Sequence, residues 1–155
     1  MLSVLAPIVA ALALLMNGLM AGIFFAFSNS ITPGLDAIDP APAASAMRSI
    51  NRKILNPGFL TLFVLSPFAS AGAGVLLLLL GETEAAIWLI AAGVVYALGS
   101  FLPTAVLNVP MNNALDAGEL DWQGYGARWT RWNTVRAVAN VVALLLIGVG
   151  LWAWQ

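Results

Sequence analysis

The sequence predicts an all-α integral membrane protein: a four-helix bundle with a short interfacial helix between its first and second spans. Three observations predict it. Apolar residues make up 61% of the chain, charged residues only 8%, and the mean hydropathy is +0.94. A soluble globular chain carries about 25% charge, so this composition suits a surface that faces lipid. The apolar residues also fall into four long runs, and roughly 20 such residues are needed to cross a bilayer. Inside lipid the backbone must satisfy its own polar groups, which makes each run a helix. A chain of 155 residues is expected to form one domain, here 1–155.

The first span is placed at about residues 4–28. It lacks a basic leader and is longer than the apolar core of a signal peptide, so it reads as an uncleaved span. The second, at about 59–80, opens with "NPGF" and carries Pro67; the third lies at about 85–107 and the fourth at about 135–154. "GETE" at 81–84 is a tight turn that makes an antiparallel hairpin of spans two and three. The two longer connections then share one side of the membrane, and the termini share the other.

Orientation follows from charge. All six Lys and Arg residues lie in or beside the two long connections: Arg48, Arg52, Lys53, Arg128, Arg131 and Arg136. The positive-inside rule puts those connections in the cytoplasm and both termini outside it. The bacterial inner membrane is the expected location, and the lipid bilayer the expected environment.

The connections carry helical signals of their own. Asp39 is an N-cap candidate, with prolines at 40 and 42 suited to a first turn. Ala43, Ala46, Met47, Ile50 and Ile54 recur at helical spacing, with Arg48 and Arg52 on another face. This is the pattern of a short amphipathic helix at the interface. In the other connection Trp122, Tyr125, Trp129, Trp132 and Arg136 recur at steps of three and four. The fourth helix is therefore expected to start near Asp121, its first turn weakened by Gly124 and Gly126.

Helices in lipid associate by close packing, which favours small residues at their contacts. Gly18, Gly22, Ala26 and Ser30 form one such stripe on span one, and Ser66, Ser70 and Gly74 another on span two. Both are expected to face neighbouring helices. Asn17, isolated among apolar residues, is expected to make an interhelical hydrogen bond.

One face is harder to explain by packing alone. Trp129, Asn133, Arg136 and Asn140 share a face of the fourth helix, and Asn108 and Asn112 lie one step apart around Pro110. Asn51 and Asn56 flank the start of span two at the same end. Tryptophans and arginines at a span's start ordinarily anchor it at the interface. Asparagines in register with a deep arginine are not needed for anchoring, so Asn51, Asn108, Asn112, Asn133 and Arg136 are expected to line a site. Arg128 and Arg131 are rotated about 80° and 140° from Arg136 and are expected to face water or headgroups.

Several function classes are disfavoured. There is no Cys, which excludes disulfides, thiolate metal sites and cysteine nucleophiles, and there is no His. The usual zinc, haem and general-base constellations lose their commonest member, and neither cofactor nor metal is expected. Net charge is −1 without a basic patch, against a nucleic-acid partner. No feature specifies an oligomeric state.

Four segments together resemble the anthrone oxygenase-like family of small four-helix membrane proteins, over nearly the whole chain. They are "NGLMAGIFFAFSNSITPGL" (17–35), "AMRSINRKILNPGF" (46–59), "NVPMNNAL" (108–115) and "WTRWNTVR" (129–136). Most members have no assigned function. Named members convert an anthrone to an anthraquinone without metal or flavin. The resemblance implies a lipophilic aromatic substrate, with Trp129 and Trp132 stacking on its rings. Arg136 would stabilise the developing anion, with Asn108 and Asn133 donating hydrogen bonds; Asn51 and Asn112 complete the binding set. Many members carry His where this chain has Thr134. Without it, Asp116, Glu119, Asp121 or water is left to take the proton. The competing reading is a non-catalytic membrane protein that binds a lipid or hydrophobic ligand or assists a partner. A small transporter is disfavoured by only four spans and no intramembrane acid.

Overall fold

The computed structural model describes the whole chain, Met1–Gln155, and contains five helices and no strand. Four are long and apolar enough to cross a membrane: α1 (Leu2–Asp36), α3 (Pro57–Leu79), α4 (Thr83–Ala117) and α5 (Trp122–Ala153). The short helix α2 (Pro40–Ile54) lies between the first two. The protein is thus an integral membrane helical bundle. The long helices pack in a ring, α1 against α3, α3 against α4, α4 against α5, and α5 back against α1.

Local chemistry sets the helix ends. The Asn56 side chain caps α3 by accepting from the Phe59 N–H at 3.1 Å, with Pro57 in the first turn. Asp121 caps α5 by accepting from the Gly124 N–H at 2.8 Å, so this helix begins where the aromatic periodicity predicts. Gly118 ends α4 in the left-handed region (φ 76°), which lets Glu119 and Leu120 donate back to the Ala114 carbonyl.

Prolines inside α1 and α4 leave a recognisable trace. Widened π-type turns occupy Phe27–Ile31, Ala97–Phe101 and Thr104–Asn108, and Pro33, Pro103 and Pro110 follow each within two residues. A proline ring removes an N–H donor and crowds the carbonyl four residues earlier. A local π turn absorbs that conflict, and such turns gather at functional sites. Thr32 and Thr104 hydroxyls donate to the Phe27 and Ser100 carbonyls, each at 2.8 Å, so polar groups within the turns stay paired.

Two expectations about packing part company. Ser66, Ser70 and Gly74 do face inward: Asn17 on α1 donates to Ser70 Oγ at 3.1 Å, and Gly74 lies against Ala86 and Ile90 of α4. Of the Gly18/Gly22/Ala26/Ser30 stripe only Gly18 lies at an interface, facing Leu144 of α5. Gly22, Ala26 and Ser30 are exposed, and a Cβ on Gly22 would meet nothing within 4 Å. The packed face of α1 is instead Ala6, Ala10, Ala13, Asn17 and Ala21. Both faces carry small residues, and in lipid the outer face is as apolar as the inner one, so spacing alone could not choose between them.

Helix α2 buries Ala43 and Met47 in a cluster with Met111, Leu115, Trp122, Tyr125 and Trp129. Arg48 Nε donates to the Leu115 carbonyl at 2.8 Å, and Arg52 pairs with Asp116 at 2.8 Å. The amphipathic helix therefore closes one end of the bundle over the extended ends of α4 and α5.

Candidate functional site

The polar groups at this end converge on Arg136, which is only 4% exposed. Its Nη1 donates to Thr104 Oγ1 at 3.0 Å and its Nη2 to Asn133 Oδ1 at 2.9 Å. Its Cζ lies 4.4 Å from the centre of the Phe24 ring and 5.2 Å from that of Trp129. An aromatic face attracts a cation, more strongly once water is excluded. No carboxylate pairs with it: the ion pair Arg52–Asp116 lies elsewhere, between side chains more than half exposed. Nε of Arg136 has no acceptor, and the buried indole Nε1 of Trp129 has none either. Taking a guanidinium out of water costs several kcal/mol unless an anion repays it, and here only hydrogen bonds and aromatic faces offset that cost.

Asn133 is itself held in a chain. Its Nδ2 donates to the Phe24 carbonyl and to Ser28 Oγ, both at 2.7 Å. Ser28 and Thr134 hydroxyls lie 2.9 Å apart, and Thr134 donates to the Thr130 carbonyl at 3.0 Å, which leaves Ser28 as donor to Thr134. The chain fixes the Asn133 amide with its oxygen toward Arg136. Thr134 itself is exposed on the outer side of α5, away from the arginine.

A cavity of about 70 Å³ opens beside Arg136. Arg136, Asn133, Trp129, Asn51 and Asn112 line it, as does Thr104. Asn51, Ile54, Leu55, Val109 and Asn112 also line a second chamber of about 200 Å³ that reaches Arg48, Arg52 and Asp116. The two chambers lie side by side and share those five residues as a common wall, the outer one beside α2. Behind the wall Tyr125 OH donates to Asn112 Oδ1 at 2.8 Å and accepts from Asn51 Nδ2 at 3.4 Å, tying α2, α4 and α5 together.

Two other expected residues stand behind this wall. Asn108 is buried, and its Nδ2 reaches the Trp129 carbonyl at 3.4 Å; Trp132 is partly buried in the packing around Trp129. Neither lines the cavity. Thr104 and Phe24 were missed by the sequence reading. Thr104 was findable, since Ser100, Thr104, Asn108 and Asn112 form a polar stripe at steps of four. Phe24 had no signal, being one phenylalanine in a wholly apolar span. Of the candidate proton acceptors, Asp116 lines the outer chamber, while Glu119 and Asp121 are exposed and line neither chamber.

The family model described as Anthrone oxygenase matches residues 59–146, more than half of the chain. The chain belongs to the anthrone oxygenase family. No curated protein and no solved structure matches it. The matched segment carries Thr104, Asn108, Asn112, Trp129, Asn133 and Arg136 of this anthrone oxygenase family member, while Phe24, Ser28 and Asn51 come from the preceding helices.

Proposed function

We propose that the protein binds a flat, acidic aromatic of the anthrone type as its anion and oxidises it with O₂. The observation that carries this reading is Arg136: a buried guanidinium between two aromatic rings, without an acid partner, in the wall of the inner cavity. The substrate's oxygen would lie at Arg136, and its rings between Ile54, Leu55 and Val109, which line both chambers. The inner cavity alone is too small for three fused rings, so the ligand uses both chambers.

The chemistry follows from stabilising that anion. An anthrone CH₂ lies between two rings and opposite a carbonyl, so losing one proton gives an electron-rich enolate. Arg136 stabilises the enolate oxygen, lowering the cost of deprotonation. The carbon then gives electrons to O₂, forming a C–O bond and, after taking a proton, a hydroperoxide. Loss of the second C–H proton breaks the O–O bond and expels hydroxide, which leaves as water. The balance is anthrone plus O₂ to anthraquinone plus water. The first proton goes to water or to Asp116 in the outer chamber.

The absence of any carboxylate or imidazole from the inner cavity favours a second reading, a protein that binds an anionic aromatic without turning it over. Both are tested by purifying the protein in detergent, supplying an anthrone, and following O₂ uptake with quinone absorbance. The oxygenase reading expects turnover above the uncatalysed rate, falling by roughly a hundredfold in Arg136→Met, the scale of losing one group that stabilises a developing oxyanion. Binding without turnover would leave only the second reading; equal rates in both proteins would remove Arg136 from the mechanism.

A further inference from the structure

The outer chamber holds a second arginine that the proposed reaction does not use. Arg48 is partly buried; its Nε is committed to the Leu115 carbonyl at 2.8 Å, and its guanidinium makes no ion pair. That single bond fixes the planar fork while leaving its Nη groups uncommitted, the geometry suited to a carboxylate. Asn113 lines the same chamber and can donate beside it. Arg52 stands there too, paired with Asp116, but both its side chain and that of Asp116 are more than half exposed. Such a pair is worth only about 0–1 kcal/mol, so Arg52 is easily diverted to an incoming anion.

Charge across the two chambers is therefore ordered. A cation sits in the inner chamber, uncharged Ile54, Leu55, Val109, Asn51 and Asn112 form the wall the chambers share, and two arginines with one acid line the outer chamber. We infer that the outer chamber is a specificity subsite for an acidic substituent, so that the preferred ligand is an aromatic carrying a carboxylate in addition to the oxygen held by Arg136. The inference rests on reading the Arg136 cavity as the substrate site. Arg48 is the residue assigned to the substituent, and Arg136 to the ring oxygen.

The test uses two stable probes, a hydroxyanthraquinone and its carboxylated counterpart. Their dissociation constants are measured on the full chain in nanodiscs of zwitterionic lipid. The expected wild-type preference for the carboxylated probe is about tenfold, typical of one charge-assisted bond at a partly buried site. Arg48→Gln should abolish that ratio. Arg48→Lys, which keeps charge but loses the bond to Leu115, should keep part of it. Because the ratio is taken within each variant, a general loss of folded protein does not move it. An unchanged ratio in Arg48→Gln, or no preference in the wild type, would overturn the inference while leaving the Arg136 site standing. Failure of both probes to bind would overturn the two together. If Arg48 instead governs a dependence on anionic lipid with no discrimination between probes, the chamber holds a headgroup and the inference is wrong.

Discussion

Replacing Arg136 by lysine isolates the geometry of the site from its charge. The guanidinium makes two hydrogen bonds through separate nitrogens, to Thr104 at 3.0 Å and Asn133 at 2.9 Å, and lies over the Phe24 ring at 4.4 Å. A lysine ammonium is compact and cannot reach both acceptors while covering the ring. One charge-assisted bond is lost, worth about 1.5–3 kcal/mol, and part of a desolvated cation–π contact worth up to roughly 2 kcal/mol. Arg136→Lys should therefore unfold more easily by about 2–4 kcal/mol, since the residue is 4% exposed and solvent does not relieve the loss. Arg131, exposed and without a hydrogen-bond partner, is the control, and Arg131→Lys should change nothing measurable. The assay is unfolding in detergent micelles by SDS titration, followed by loss of helical signal or of tryptophan environment. Coincident curves for the two variants would refute the argument. They would mean that Arg136 reaches headgroups rather than being held inside the bundle, and the proposed anion site would lose its support.

Three further outcomes are expected. Gly93→Ala should destabilise the bundle by about 1–3 kcal/mol, because its Cβ would lie 2.9 Å from the Pro67 carbonyl, while Gly22→Leu should be tolerated; the same SDS titration compares them. Asn17→Leu should cost about 0.6–1.7 kcal/mol, the range for a hydrogen bond between helices in a membrane, since it removes the bond to Ser70; Ser70→Ala should cost a similar amount, and the double variant less than the sum. Reporter fusions at Gln155 should be active only in compartments outside the cytoplasm, because all six Lys and Arg residues lie toward the opposite end.

Much of the architecture was legible from residue type alone. Four apolar runs in so weakly charged a chain admit only helices across lipid, and capping residues such as Asp121 and Asn56 mark where helices begin. The periodicity of Trp129, Asn133 and Arg136 was enough to put the arginine inside, because a buried polar face is rare and expensive in such a helix. The same logic failed for Gly22. Burial in water sorts apolar from polar, but lipid accepts both faces of α1, so the choice between two small-residue stripes depended on what α3 and α5 present to them. The wall between the chambers also belonged to the tertiary structure. Asn51, Asn112 and Tyr125 come from three helices and meet only because α2 folds back over the ends of α4 and α5, through contacts far apart in the chain. That Arg136 lies against Phe24 and lacks an acid was likewise invisible in sequence, since pairing depends on which side chains arrive within a few ångströms and not on their spacing along a helix.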